Sequence, residues 1–156
     1  MVNVMAQAQI STDSLRIREL DQYWNELTRT VKAGDFDGYS ELYHPDAIIV
    51  MAAGKNPAAV PIAKALASWE QGFNDTKAGK IQADVEFRFA ERIGSATAAY
   101  EKGMFRYSSI DAQGKKDDVI VKFESLLTKR DNEWIMMMEY HISLVDEAEW
   151  QKLLVE

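Results

Sequence analysis

The spacing of apolar residues changes once along the chain, near Ile81, and this change limits the possible folds more than any other feature. Before it, two stripes of apolar residues repeat every three or four positions, which indicates amphipathic helices. After it, every second residue is apolar, which indicates half-buried strands. Helices followed by strands predict an α+β domain. The helical stripes are Ile17, Leu20, Trp24, Leu27 and Val31, then Ile62, Leu66, Trp69 and Phe73; the alternating set is Ile81, Ala83, Val85, Phe87 and Phe89.

Turn residues and helix-end residues predict the remaining elements. The segment AAGKNPAAVP, at 52–61, is interpreted as a loop that leads into the third helix. Asp146 and Glu149 resemble a capping box, which predicts a short final helix. We expect the three earlier helices to pack on the apolar face of an antiparallel sheet. The other predicted elements are a helix over 36–43, a short buried strand over 47–51, extended segments over 96–108, 118–129 and 134–143, and the final helix over 147–154.

The overall charge of the chain excludes several classes of function. Its 18 Lys and Arg residues against 25 Asp and Glu residues give a formal net charge of −7. Nucleic acids and anionic membrane surfaces attract basic proteins, so we expect neither as a partner. The sequence has no cysteine, which excludes disulfides, thiolate metal sites and cysteine nucleophiles. No phosphate-binding or dinucleotide motif occurs, and no cofactor is predicted.

The length of 156 residues suits one domain with its own core. We expect that domain to span residues 12–156 and residues 1–11 to form a flexible tail. No apolar run reaches the roughly 18 residues of a membrane span. A cytoplasmic location is expected. A secreted or periplasmic location stays open, because Ala6-Gln7-Ala8 has the form of a signal-cleavage site, although no adequate apolar run precedes it.

Three segments, in this order, resemble the nuclear transport factor 2-like superfamily and, within it, the SnoaL-like branch of polyketide cyclases and ketosteroid isomerases. They are KAGDFDGYSELYHPDAIIV, ATAAYEKGMFRY and KFESLLTKRDNEWIMMMEYHIS. The first also resembles the association domain of calcium/calmodulin-dependent kinase II. The resemblance covers about residues 15–145. It implies a cone-shaped α+β barrel, a deep pocket between helices and curved sheet, and frequent homodimerisation through the outer face of the sheet.

This resemblance does not imply one function, because the superfamily holds isomerases, cyclases, dehydratases, small-molecule binders and associating modules. Its ketosteroid isomerases use an aspartate base at the end of the first strand and a tyrosine donor on the first helix. The resemblance places Met51 and Leu27 at these positions. Methionine takes no proton, and leucine gives no hydrogen bond to an oxyanion. The isomerase mechanism in that form is therefore not expected, and Met51 is assigned to the pocket wall instead.

Glu101 is the first candidate for acid–base chemistry. In a strand it shares a face with Ala99, Gly103 and Phe105, while Lys102 points the other way. If Lys102 marks the solvent side, Glu101 is buried, and a buried carboxyl group has a raised pKa and can act as a general acid or base. The alternative is a glutamate on the sheet surface, paired with a lysine of the neighbouring strand.

Glu139 and His141 are the second candidates, in the segment WIMMMEYHIS. They share one face of the last predicted strand, and the apolar residues Trp134, Met136 and Met138 share the other. A sheet with one buried face would bury the apolar side and leave Glu139 and His141 in water. If the outer face is a dimer interface, the pair lines the pocket instead. His141 could then move a proton at neutral pH, with Glu139 orienting it.

Apolar walls with a few polar groups are typical of small-molecule sites. Tyr43 is expected near the pocket mouth as a hydrogen-bond donor. The other residues expected to bind a substrate are Met51, Trp24, Trp69, Phe73 and Phe105. A metal site is not predicted, because two histidines and no cysteine leave no recognisable ligand spacing.

Together, the residues and the resemblance predict a pocket protein for a small hydrophobic ligand, polyketide-like or steroid-like. The predicted activity is that of a cofactor-independent isomerase, cyclase or hydratase, with Glu101, Glu139 and His141 as catalytic residues. The alternative is a non-catalytic ligand-binding domain or a homodimeric association domain. In that case the apolar face of the last strand forms the dimer interface.

Overall fold

The computed structural model describes residues 2–153, with side chains from Thr12 onwards. The backbone of residues 2–11 belongs to the first helix, and the flexibility predicted for residues 1–11 stays a prediction. The elements, in chain order, are α1 (Val2–Ala33), α2 (Phe36–Glu41), β1 (Tyr43–Met51), β2 (Ala58–Pro61), α3 (Ile62–Lys77), β3 (Ile81–Gly94), β4 (Ala98–Asp111), β5 (Lys116–Arg130), β6 (Glu133–Leu144) and α4 (Glu147–Lys152).

The six strands form one curved, unclosed sheet in the order β2-β1-β6-β5-β4-β3. Strands β3 to β6 are a continuous antiparallel meander. Strand β1 pairs with β6 in parallel and with β2 in antiparallel orientation. The helices α1 to α3 lie against the concave face, and α4 follows the last strand. The predicted α+β class is therefore confirmed.

The predicted loop at 52–61 is wrong in its second half, where Ala58–Pro61 forms β2. Val60 pairs with Ile49 of β1, and both side chains are buried in the core. A four-residue edge strand with one buried apolar side chain carries too little alternation to be recognised in the sequence. Helix α2 ends two residues earlier than predicted, because Tyr43 already pairs with Met136 of β6. The predicted cap of α4 is present, with the Asp146 side chain accepting a hydrogen bond from the Glu149 backbone N–H.

The core lies between α1 and the concave face of β3 to β6. Each fully buried aliphatic or aromatic side chain contributes about 1.5–3 kcal/mol relative to its exposed state. The aromatic centre of the core is Trp24, whose ring lies 4.6 Å from that of Phe87 and 5.7 Å from that of Phe123. Four of the five residues in the α1 stripe are buried, as its spacing predicts: Leu20, Trp24, Leu27 and Val31.

Gly34 sets how closely α1 approaches α3. Its φ of +66° ends α1 in the left-handed conformation that glycine adopts without strain. A Cβ atom at Gly34 would lie 2.4 Å from the backbone nitrogen of Lys77 at the end of α3. Only glycine allows this contact, which brings the end of α1 against the last turn of α3.

Candidate functional site

A cavity of about 450 Å³ lies between the helices and the concave face of the sheet. Its volume is within the range of roughly 300–1,000 Å³ that small-molecule sites occupy. Most of its wall is apolar or aromatic. The residues that line it are Leu27, Val31, Tyr39, Tyr43, Ser68, Trp69, Gly72, Phe73, Thr76, Ala83, Val85, Phe87, Phe105, Tyr107, Val119, Val121, Glu139 and His141.

A β-bulge in β6 brings Glu139 and His141 into this wall. In the first half of β6, the even-numbered residues Trp134 and Met136 are buried against the helices. Opposite this strand, Leu127 pairs with Met136 but Leu126 pairs with Met138, so that Met137 is an extra residue. This β-bulge shifts the alternation by one, so that the odd-numbered residues Glu139 and His141 face inward after it. A second shift, between His141 and Ser143, follows directly after the pair.

Neither alternative for this strand describes its whole length. The apolar even-numbered face is buried before the bulge, and Glu139 and His141 line the cavity after it. Bulges are frequent next to active sites, because they redirect a side chain without changing the strand order.

A chain of four side chains runs along the inner wall. Tyr43 donates its hydroxyl hydrogen to Glu139 Oε2 at 2.7 Å, and His141 Nε2 lies 2.6 Å from Glu139 Oε1. The hydroxyls of Tyr39 and Tyr43 are 2.9 Å apart. Because Tyr43 has already donated its only hydroxyl hydrogen, Tyr39 is the donor in this contact.

The environment keeps Glu139 ionised and the tyrosines neutral. Burial by itself would raise the pKa of Glu139, but the hydrogen bond and charge of His141 and the hydrogen bond from Tyr43 outweigh it, and the pKa lies below its usual value. Burial, followed by repulsion from Glu139, raises the pKa of Tyr43 far above that of a free phenol. An ionised Glu139 only accepts hydrogen bonds, so Nε2 of His141 carries a hydrogen and donates it to Glu139.

The contact with Glu139 uses only one ring nitrogen of His141 and leaves the other, Nδ1, without a partner among the described residues. Nδ1 makes no hydrogen bond to any residue that the structure describes, and the ring packs edge-on against Phe105 at 5.1 Å between centroids. The side chain of His141 is 17% exposed. A carboxylate that holds one nitrogen of a histidine and leaves the other free is an arrangement that orients the ring for proton transfer.

Glu101 is buried, as its strand face predicts, but it does not lie in the cavity wall. Arg92 Nε donates to Glu101 Oε2 at 2.8 Å, and Trp24 Nε1 donates to the same oxygen at 3.1 Å. Arg92 also binds Asp21 of α1 at 2.6 Å. Burial raises the pKa of Glu101 despite the opposing effects of Arg92 and Trp24. Its carboxylate is thus enclosed in an ion pair that joins α1 to β3 and β4, apart from Glu139 and His141.

Only some of the residues predicted to bind a substrate line the cavity. Tyr43, Trp69, Phe73 and Phe105 line the cavity, whereas Trp24 and Met51 do not. Trp24 borders a separate groove between α1 and β3. Met51 packs against the core and is the register partner of His141 on β6.

Two tyrosines of the wall, Tyr39 and Tyr107, are not among the site residues predicted from the sequence. Tyr39 is four residues before Tyr43, the spacing of one helical turn, but only Tyr39 lies in α2. Tyr107 is two residues after Phe105 and shares its strand face, which was a usable signal. Among the described residues, no group of three or more His, Asp or Glu side chains is arranged to hold a metal ion. The described part of the chain also contains no helix that is both long and apolar enough to cross a membrane.

Solved structures with this fold come from several bacteria. A candidate calcium/calmodulin-dependent protein kinase II association domain from Xanthomonas campestris is 18% identical, with 83% of this chain and 88% of that chain covered and a TM-score of 0.62. An NTF-2 like protein of unknown function from Shewanella oneidensis is 16% identical, with coverage of 82% and 99% and a TM-score of 0.59. A protein from Catenulispora acidiphila, solved in complex with S-DNPA, is 14% identical, with coverage of 82% and 94% and a TM-score of 0.63.

At these identities the structural likeness shows the fold alone. A comparison with curated proteins found no match. The SnoaL-like domain, as a family, matches residues 20–147 of this chain. That match includes α1 from Leu20 onwards, all six strands and the residues that line the cavity. The protein therefore belongs to the SnoaL-like domain family, with a nuclear transport factor 2-like fold.

Proposed function

We propose that the protein binds a small, mainly apolar molecule in the cavity and that His141 transfers a proton on it without a cofactor. The observation that supports this proposal is the chain of hydrogen bonds Tyr39–Tyr43–Glu139–His141 on the wall of an otherwise apolar cavity. A buried network of four polar side chains is expensive unless every member is satisfied. This network is satisfied up to Nδ1 of His141, where a ligand would complete it.

The chemistry follows from the charge states. Nδ1 of neutral His141 takes a proton from a carbon next to a carbonyl group of the ligand, which leaves an enol or enolate. The imidazolium that results is stabilised by the Glu139 carboxylate at Nε2, and Tyr43 holds that carboxylate in place. His141 then returns the proton to another carbon or to a departing hydroxyl group. The first outcome is an isomerisation and the second is a dehydration.

The residues that line the cavity also limit the charge and the shape of the ligand. Among the described residues, no Lys or Arg lines the cavity, and its one acidic group, Glu139, is ionised. An anionic ligand would meet repulsion without a counter-charge, so we expect an uncharged ligand. Rings on the wall, including Trp69, Phe73, Phe105 and Phe87, suit a flat aromatic or polycyclic molecule.

In this proposal His141 takes the place of the isomerase base that is missing at Met51. The resemblance places an aspartate base at Met51, at the end of β1, and His141 lies directly beside Met51 on β6. In this proposal the base is supplied one strand further along the sheet. Leu27, at the position implied for a tyrosine donor, is part of the apolar wall.

Hydrogen–deuterium exchange tests this proposal without knowledge of the natural substrate. The protein in D₂O is expected to accelerate deuterium uptake next to the carbonyl group of uncharged bicyclic ketones such as 2-tetralone, measured by NMR. Ala83→Trp, which places an indole ring in the cavity, is expected to remove this acceleration. Exchange rates that are the same for both proteins across a panel of such ketones would contradict the proposal.

A second candidate function is homodimeric association through the outer face of the sheet. The outer patch consists of Ile48, Val50, Leu126, Met138 and Tyr140. Met138 pairs in register with both Ile48 and Leu126, which are 41% and 44% exposed. The neighbouring part of this face is covered by α4, whose Trp150 packs on Met104 and Ile120. The outer patch lies outside the part that α4 covers. Its Ile48 and Leu126 are exposed, its other three residues are half-buried, and contiguous apolar residues on a surface indicate an interaction surface.

Met138→Glu is expected to abolish dimers, because it places a charge in the centre of the outer patch, where a dimer would desolvate it. The oligomeric state is measured by analytical ultracentrifugation. Gln113→Glu is the matched control, since it adds the same charge at the exposed turn between β4 and β5. A wild-type protein that stays monomeric at high concentration would contradict the association function, and so would a dimer that Met138→Glu leaves intact.

A further inference from the structure

The polar side chains of the cavity form two separate sets. The inner set is the chain from Tyr39 to His141, which the proposed proton transfer uses. The outer set consists of Ser68 and Thr76 on α3 and Tyr107 on β4. No side chain of the outer set takes part in the proposed proton transfer.

Only one hydroxyl group of the outer set has a hydrogen that is not already donated within the protein. Ser68 donates its hydroxyl hydrogen to the carbonyl of Ala65 at 2.7 Å, and Thr76 donates to the carbonyl of Gly72 at 2.8 Å. Both hydroxyls are thus satisfied as donors by their own helix. The Tyr107 hydroxyl makes no hydrogen bond to any residue within the described part of the chain. Buried or half-buried tyrosine hydroxyls normally have a partner.

Tyr107 is a neutral donor that faces the interior. It shares the inward face of β4 with Phe105, and burial raises the pKa of its phenol.

The strand position of Tyr107 places it towards the opening of the cavity. Its register partner on β5 is Val119, which lines the cavity and is 37% exposed. His141, in contrast, is the register partner of Phe123, which is fully buried. A ligand with its reacting carbon at His141 would extend along the apolar walls towards Tyr107.

We infer that Tyr107 forms a second polar subsite, which donates a hydrogen bond to an uncharged oxygen of the ligand at the end away from His141. A carbonyl, ether or hydroxyl oxygen fits this subsite. A carboxylate or phosphate does not, because the described lining holds no Lys or Arg to neutralise it. The ligand class is then an uncharged, mainly apolar molecule with oxygen functions at both ends. This inference rests on the proposed function, because it assumes that a ligand occupies the cavity.

Binding of a matched pair of fluorescent probes tests the subsite. Prodan is an uncharged naphthalene with a ketone and a dimethylamino group, and 2-dimethylaminonaphthalene lacks the ketone. Tyr107→Phe is expected to weaken prodan binding by about 3–10-fold, the effect of one lost neutral hydrogen bond. The binding of 2-dimethylaminonaphthalene is expected to be unchanged. Tyr100→Phe, on the same strand but the opposite face, is the control that should alter neither affinity.

The outcomes separate the subsite from the cavity itself. If prodan binds the wild type and Ala83→Trp abolishes that binding, the cavity is the binding site. Equal affinity of wild type and Tyr107→Phe for prodan would then overturn the subsite alone. Equal weakening of both probes would also overturn it, because that result indicates lost packing instead of a lost hydrogen bond. If neither probe binds the wild type, the proposed function and the subsite are both contradicted.

Discussion

Replacement of His141 with alanine is expected to lower the ketone exchange rate by about 10²–10⁴-fold, the usual contribution of a general base. The reason is that Nδ1 of His141 makes no hydrogen bond to any described residue, whereas each oxygen of Glu139 already accepts one, from Tyr43 or from His141. The loss is measured in D₂O with the ketones that the wild type exchanges. Folding should be preserved, because the side chain borders the cavity and is partly exposed.

Two further variants show whether the loss is specific. Glu139→Gln should reduce exchange by a smaller factor than His141→Ala, because the ring keeps a hydrogen-bond partner but loses the charge that stabilises the imidazolium. Ser68→Ala is the matched control, since Ser68 lines the same cavity and its hydroxyl bonds to its own helix. A His141→Ala protein that exchanges ketone protons at the wild-type rate would contradict the assignment of the base.

The Arg92→Met substitution is expected to reduce the free energy of unfolding by about 3–5 kcal/mol, the usual cost of removing one partner from a buried ion pair. Glu101 is fully buried and would keep only Trp24 as a hydrogen-bond donor. The measurement is urea denaturation with linear extrapolation. Glu101→Gln in addition to Arg92→Met should restore part of the loss, because it removes the unpaired charge and keeps an acceptor for Trp24.

The pH dependence of the same variant provides an independent check. Burial raises the pKa of Glu101 even with Arg92 present, and the pKa should rise further without it. A group with a raised pKa in the folded state contributes most stability when it is protonated, and this contribution is lost as the pH rises. The loss in the free energy of unfolding caused by Arg92→Met should therefore become smaller as the pH is lowered from about 7 to about 5. A deficit of less than about 1 kcal/mol at neutral pH would show that the pair is not a structural link.

Glu101 and Glu139, both predicted from the sequence as catalytic residues, have different roles in these two predictions. Strand periodicity correctly indicated that Glu101 faces inward, because β4 is regular around it. Its partner could not be predicted. Arg92 faces Glu101 only because β3 has an irregularity between Phe89 and Glu91, which changes the face of the residues that follow. The sequence therefore predicted an inward-facing carboxylate. It could not predict the ion pair with Arg92, which holds that carboxylate away from the cavity wall.

The inward face of the last strand, β6, could also be predicted only in part. Alternation in WIMMMEYHIS offered two faces, and neither choice describes the whole strand. The extra residue at Met137 places Met136 and Glu139 on the same side of the sheet, and no residue in this segment, such as a glycine, marks the bulge. The helices, their stripes and the α+β class follow from periodicity, since these features are local. The candidate site depends on register between strands, which is set by contacts far apart in the sequence.

The central claim is that Glu139 orients His141 towards a ligand in the cavity, and nitrogen NMR of the histidine rings tests it most directly. The protein has only two histidines, so His44, which contacts Arg130 outside the cavity, is an internal reference. The account predicts that neutral His141 carries its proton on Nε2 and that added prodan shifts its Nδ1 signal but not the signals of His44. A His141 ring protonated on Nδ1, with signals that the ligand leaves unchanged, would contradict the account.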